Sequence, residues 1–406
     1  MSDALPPIAK PASRTRSTDI VLEVLRAQGP CSQAELARLT GLSKGTINNV
    51  VKALLGSQAI TLQQKNRKEA LVVLGLGLSY LATVEVHAYS LRLTLFDFGG
   101  QCRRTLLLPN ETIADALPTS PEQVLQGLQR LCAEAGIGLS ALACVSIAIQ
   151  ASIDRASGSL VAWAGSRLPG WKGIVFADWF AQRLAVPVII ENDANLAALC
   201  EWTWGCGKGS KDFFYLMCDE GVGGGLILDG HIYRGGTGVA GEVGHMVIAD
   251  TGAVCFCGGR GCLHSLISER AILAALSDSE SPQSSLAAVI AAARQGDAAC
   301  RRVLFEAGRN LGRAVANTAR VIAPSVIAIG GTLSFAGEFL MTSLESSPEV
   351  LNLSSLSAAT RLQTAEIADA VTLGGVAAAL AHLGCGMATL PAWMTDTALT
   401  STALDV

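Results

Sequence analysis

Four side chains within one short stretch are of the types that hold a metal ion. Between Gly241 and Ser268 the chain reads GEVGHMVIADTGAVCFCGGRGCLHSLIS, and its His245, Cys255, Cys257 and Cys262 are spaced His-x9-Cys-x-Cys-x4-Cys. Gly258, Gly259 and Gly261 lie between the last two cysteines, where a tight turn must bring two sulfurs onto one ion. One imidazole and three thiolates predict a closed tetrahedral zinc site, Zn2+ being the cofactor that suits such donors. With no open coordination position the ion is structural: it fastens a loop and does no chemistry. The competing reading is three buried cysteines without metal. Close glycine-punctuated spacing after an upstream His favours the metal.

A second set is oxygen-rich. The apolar run Val186 to Ile190 reads as a strand ending at Glu191-Asn192-Asp193, and carboxylates and amides at strand ends are where an α/β cleft puts its ligand. Asn-Asp after a strand is equally an N-cap for a helix over Ala194 to Glu201, and the pair by itself allows both readings. Two glycine runs, Gly221-Val222-Gly223-Gly224-Gly225 and Gly330-Gly331, each follow an expected strand. Close turns produce such runs without any nucleotide, so they carry little weight alone.

Around these residues the chain resembles the ROK family of repressors, open reading frames and sugar kinases. The resemblance rests on Gly241-Glu242-x-Gly244-His245 followed by Cys-x-Cys-Gly-x2-Gly-Cys, and it extends over residues 78–385. It implies a two-lobed actin-like, ribonuclease-H-like ATPase-fold body, with zinc on His245, Cys255, Cys257 and Cys262. It further implies that Asn192, Asp193, Glu242 and His245 meet sugar hydroxyls, Asp193 being the base in the kinases of the family. Two departures stand out. The family usually has Glu two residues after the last Cys, and this chain has His264 as the candidate sugar contact. The kinases open with an Asp-x-Gly-Gly-Thr phosphate turn, and aligned on Asp97 and Gly100 this chain offers Glu85, His87, Ala88 and Tyr89 there. Side chains then fill the space that backbone amides and phosphates would share, so phosphoryl transfer is expected to be lost.

The elements that must position these groups follow from length, charge and periodicity. At 406 residues the chain exceeds a single core and predicts two or three units. Its 12 cysteines are mostly scattered singly in apolar surroundings, which suits reduced thiols in a cytoplasmic protein. No apolar run of about 18 residues predicts a membrane span. Residues 1–70 carry ten Lys or Arg against five Asp or Glu, net +5; the whole chain carries −4, so the remainder carries −9. A basic head on an acidic body suggests that the head alone meets a polyanion.

In the head, residues 1–16 read as a disordered basic arm and 17–75 as a winged helix-turn-helix. Ile20, Val21, Val24 and Leu25 have helical spacing up to Gly29-Pro30. Ser32-Gln33-Ala34-Glu35 is a capping box for a second helix to about Thr40, and Gly41 makes the turn. Ser43 caps a third helix with Ile47, Val50, Val51, Leu54 and Leu55 on its apolar face. Lys44, Thr46, Asn48, Asn49 and Lys52 are left for DNA, and a wing with its tip over Gln63 to Lys68 would add Arg67 and Lys68. An ordinary helical bundle with solvated charges is the alternative, disfavoured by the charge split.

The body alternates strands and helices as an α/β fold, with residues 386–406 a tail. The expected partners are operator DNA, bound as a homodimer or dimer of dimers, and a sugar or sugar phosphate effector. A sugar kinase with a DNA-binding head is one alternative, and a body that binds a protein partner is another.

Overall fold

The computed structural model describes residues 17–28, 30–56, 59–66, 69–74, 80–97, 103–108, 118–279, 282–352 and 360–383. They fall into two compact units that part at about residue 80. Arg67, Lys68, the arm 1–16 and the tail 386–406 lie outside the described residues.

The first unit holds α1 (Ser17–Gln28), β1 (Cys31–Ser32), α2 (Gln33–Thr40), α3 (Lys44–Gly56), β2 (Ile60–Asn66) and β3 (Glu69–Leu74). Ser32 and Glu35 form the expected capping box: the Glu35 amide donates to Ser32 Oγ at 3.3 Å, and the Ser32 amide to Glu35 Oε2 at 2.8 Å. Gly41, at φ 72°, ends α2 in the left-handed region that glycine enters without a Cβ penalty. Ser43 caps α3 by accepting from the Thr46 amide at 3.1 Å. Val21, Leu25, Leu36, Ile47 and Val51 bury their side chains between the three helices, each contributing about 1.5–3 kcal/mol.

The wing differs from expectation. β2 continues to Asn66, so Gln63 to Asn66 belong to the ladder with β3 and not to a loop. Ladder bonds come from the backbone, and an antiparallel sheet with one wet face accepts polar side chains on it. β1 joins the other edge, giving the order β1-β3-β2. Two residues of strand beside a helix cap give no periodic signal in the sequence.

The second unit contains two five-stranded sheets. The first is formed by β4 (Tyr80–Val86), β5 (Leu91–Asp97), β6 (Arg103–Leu108), β7 (Leu142–Ile149) and β8 (Val188–Asn192), with α4 (Pro121–Glu134) and α5 (Phe176–Ala181). After α6 (Asp193–Trp204) comes the second sheet, of β9 (Phe213–Cys218), β10 (Val222–Leu228), β11 (His231–Ile232), β12 (Val326–Gly330) and β13 (Arg361–Thr364). Its helices are α7 (His264–Ile267), α8 (Glu269–Ala275), α9 (Leu286–Gln295), α10 (Ala298–Ile322), α11 (Glu338–Glu345) and α12 (Pro348–Leu351), and α13 (Ala370–His382) follows β13 in the chain. The strand orders are β6-β5-β4-β7-β8 and β11-β10-β9-β12-β13. Each is therefore an antiparallel meander of three with two parallel strands added beside its first, the same plan used twice. Val84, Leu93, Val145, Ile147 and Trp171 centre one core, and Phe214, Leu216, Leu311, Ile327 and Ile329 the other. Among the described residues no helix is long and apolar enough to cross a membrane.

Candidate metal centre and ligand cleft

The strand β8 and helix α6 meet without a loop, and that junction sets the site. Asn192 takes the capping role: its Oδ1 accepts from the Asn195 amide at 3.1 Å, and its Nδ2 donates to the Ala151 carbonyl at 3.3 Å. Asp193 opens the helix, buried, with Oδ1 accepting from the Ala194 amide at 2.8 Å. Burial raises its pKa to about 7 against the pull of the Ala194 amide and of His87. The cap is thus Asn192, and Asp193 is the buried acid that lines the adjoining cavity.

Facing them is the turn before the metal loop. Glu242 accepts from the Ser152 hydroxyl and lies 3.8 Å from His245 Nε2, and burial raises its pKa. The other ring nitrogen, His245 Nδ1, is 3.5 Å from Cys255 Sγ. Cys257 Sγ and Cys262 Sγ are 3.7 Å apart, and all four donor atoms fall within 4.8 Å of one another. A small hairpin brings them together, with bridges Val247–Cys262 and Val254–Arg260 and the Cys255 amide donating to Gly259 O at 2.8 Å. Gly261 is required there: at φ 69°, a Cβ would stand 1.8 Å from the Ala249 carbonyl oxygen. Burial raises the Cys255 and Cys262 pKa values, the latter to about 12 with help from the neighbouring thiols. Cys257 alone is lowered, because the Gly259 amide and the adjacent thiols outweigh its burial. Such a His/Cys group can bind a metal ion, whose charge would hold the crowded thiolates ionised.

His264 begins α7, and its Nδ1 accepts from the Val222 amide at 3.3 Å. Burial, then the Arg167 and His245 charges, lower its pKa to about 4. Asn192, Asp193, Glu242, His245 and His264 all line one cavity of about 50 Å³. Sequence reasoning missed other members of its wall. Gln150, Ser152, Trp163 and Arg167 come from the segment after β7, and Phe256 sits between two of the cysteines. None of them belongs to a spaced motif that could have announced them.

A larger cavity of about 330 Å³ adjoins this one, sharing Gln150, Asp193 and Met217. Glu85, Asp219, Glu220 and Glu269 also line it, with His87 and Ser90. Glu85, at the end of β4, is tied to Arg92 and Thr372, and Arg92 to Asp369, so the start of α13 is fastened onto the first sheet. In the turn that follows, the His87 amide donates to Ser90 O at 3.0 Å. His87 Nδ1 is 3.8 Å from Glu220 and its Nε2 4.0 Å from Glu85; burial lowers its pKa, but these carboxylates outweigh that and raise it.

The first glycine run does follow a strand, β9, but most of it is itself strand β10. A Cβ on Gly225 would lie 2.4 Å from Ala198 Cβ and 2.5 Å from Ala194 O, so this glycine lets α6 press onto the sheet. In the head, Lys44, Asn48, Asn49 and Lys52 are exposed on α3, and Thr46 is half-buried with its hydroxyl 2.8 Å from Ser43 Oγ.

Residues 83–383 match the ROK family, about three quarters of the chain, and residues 17–57 match a winged helix-turn-helix DNA-binding family. The chain belongs to the ROK family. Among curated ROK relatives it is 26% identical to the xylose repressor of Caldicellulosiruptor bescii, over 90% of this chain and 95% of that one. It is 35% identical to a glucokinase of Halalkalibacterium halodurans, over 51% of this chain and 67% of the kinase. A solved ROK transcriptional regulator, described as a homolog of the E. coli MLC protein, superposes with a TM-score of 0.65 at 21% identity, covering 90% of this chain and 96% of that one. The repressor-like match therefore spans head and body, whereas the kinase matches half of the chain.

Proposed function

We propose that this ROK chain is a cytoplasmic, sugar-responsive transcriptional repressor of carbohydrate uptake or metabolism genes, and that it does not phosphorylate its sugar. The observation that carries the reading is the cavity beside Asp193. Where a kinase needs amides and cations for ATP phosphates, four further carboxyl groups gather beside Asp193: Glu85, Asp219, Glu220 and Glu269. Two like charges about 4 Å apart repel by about 4 kcal/mol near a protein surface, and ATP brings several. The full-length similarity to a protein named xylose repressor supports the same reading.

In this scheme the head binds operator DNA through Lys44, Thr46, Asn48, Asn49 and Lys52, with Arg67 and Lys68 as further contacts, as a homodimer or dimer of dimers on a palindrome. The metal is zinc, in a structural role. A tetrahedral zinc ion at about 2.3 Å from sulfur and about 2.0–2.1 Å from nitrogen sets S–S edges of about 3.8 Å and S–N edges of about 3.5 Å, close to the 3.7 and 3.5 Å found. With Nδ1 given to the ion, His245 keeps Nε2 for the sugar cavity, so loop and cavity are coupled through one ring. The sugar is held by Asn192, Asp193, Glu242, His245 and His264, and lobe closure over it biases the operator-bound population through differential affinity.

One observation favours a second reading, an ATP-dependent sugar kinase: the Asp193 carboxyl, at about 7, is tuned as a general base would be. Operator binding by fluorescence anisotropy, across a panel of sugars and with or without Mg-ATP, separates the two. Sugar-dependent release without ADP formation is the expected result. ADP formed at catalytic rates overturns the repressor-only reading, and no response to any sugar moves the role of the body to a protein partner.

A further inference from the structure

The small cavity carries opposite chemistry on different parts of its wall. Asp193 and Glu242 supply carboxyl groups. Around Phe256 the groups are donors: the Arg167 guanidinium lies 5.0 Å from the Phe256 ring centroid, the His264 ring 5.1 Å and the His245 ring 4.9 Å. Arg167 reaches Glu220 only at 3.7 Å, beyond hydrogen-bond length, and Gln150 Oε1 at 3.4 Å. Most of its five N–H groups are thus unspent on those partners. His264 has its polarity fixed by the fold. Because Nδ1 accepts the Val222 N–H, the ring proton of the neutral imidazole sits on Nε2, which makes His264 a donor to the cavity.

We propose that the effector is a sugar acid of monosaccharide size, a uronic or aldonic acid, whose carboxylate is received by Arg167 and His264 while its hydroxyls meet Asp193 and Glu242. The inference rests on the reading of this cavity as a sugar site. A guanidinium fork matches a carboxylate with two parallel bonds, and the Phe256 ring, 5.0 Å from the guanidinium carbon, adds a cation–π contact. His264 Nε2 adds a third donor. A phosphate running past Asp193 enters the adjoining cleft and meets Glu85, Asp219, Glu220 and Glu269, which disfavours sugar phosphates in that direction. Asp193, with its pKa near neutrality through burial, is partly protonated at pH 7 and can donate to a hydroxyl instead of repelling an anion.

The test is calorimetric titration of the full-length, zinc-loaded protein with glucuronate, galacturonate and gluconate beside glucose, galactose and glucose 6-phosphate. At least one acid is expected to bind about tenfold more tightly than its neutral counterpart. Arg167→Gln is expected to lower that acid-to-neutral ratio by about tenfold, and His264→Glu, which turns a donor into an anion, to invert it. Zinc content and thermal midpoint, measured in parallel, identify a variant that has merely misfolded; Arg167→Lys, which keeps the charge and loses the fork, then takes its place and is expected to retain part of the preference. Neutral sugars binding as tightly as the acids, or glucose 6-phosphate binding more tightly than both, overturns the inference and leaves the sugar site standing. Failure of every sugar, in protein that still binds its operator, overturns the sugar site itself.

Discussion

On one side of Asp193 the wall carries Glu242, His245 and His264, in and beside the His/Cys loop; on the other is a larger space lined by Glu85, Asp219, Glu220 and Glu269 among other side chains. The two cavities share Asp193, Gln150 and Met217, yet their chemistry differs completely. The first gathers donors and acceptors of both kinds, which suits a neutral or singly charged polyol. The second gathers like charge, which suits no polyphosphate. On the proposed reading, a fold shared with kinases keeps its recognition half while its phosphate half is lost. Positioning a sugar needs hydrogen-bond partners on one wall, whereas phosphoryl transfer needs both walls at once.

The comparison breaks most decisively at the metal. Cys257→Ser is expected to abolish zinc binding by elemental analysis, a loss on the order of 10 kcal/mol of site energy, and with it sugar binding by the first cavity. Folded protein that binds sugar fully without zinc would separate loop from cavity. Next in size, Asp193→Ala and Glu242→Ala are each expected to weaken sugar binding by about 2–5 kcal/mol while operator binding persists, giving a repressor that no longer lets go. A titration of operator complexes with sugar reads this directly; release at wild-type sugar concentrations would remove these residues from the site.

The pH response tests Asp193 as the hinge of the comparison. Its folded pKa, about 7, lies above the ordinary 3.8, so between those values the folded state holds more protons than the unfolded one and stability falls as pH rises. The sugar-free protein is expected to lose thermal midpoint from pH 5 to pH 8, and Asp193→Asn to flatten that slope by up to a few degrees, roughly 1 kcal/mol or more. An unchanged slope would mean that Asp193 is ionised throughout.

The head supplies the control with the smallest effects. Asn48→Ala is expected to cost about 1–3 kcal/mol at one base position, and Lys52→Ala to weaken all sequences alike and lower the salt slope by roughly one. Sugar affinity measured on the same two proteins, in the absence of DNA, should stay at the wild-type value. If Asn48→Ala and Asn49→Ala both leave base preference intact, another face of α3 reads the operator.

What the sequence determined by itself is whatever depends on near neighbours. The spacing of His245, Cys255, Cys257 and Cys262, the capping box of Ser32 and Glu35, and the 3.6-residue repeat of Ile47, Val50, Val51 and Leu54 are local. Backbone geometry over a few residues turns such spacings into a close-set His/Cys group, a helix start or an apolar face. Local reasoning also left Asn192-Asp193 open between cap and ligand, and only the packed junction of β8 and α6 divided the roles, cap to one and buried acid to the other. The same holds for Gly225, where a run that looks like a loop is a strand pressed by α6. Tertiary structure alone decided that Arg167, Trp163 and Phe256 close over the cavity, and that Glu85, Asp219, Glu220 and Glu269 converge beside it. These groups come from two sheets and their loops, up to 184 positions apart by the numbering of Glu85 and Glu269. No short-range pattern records such a meeting, because burial and Coulomb repulsion are set by distance in space and not by distance along the chain.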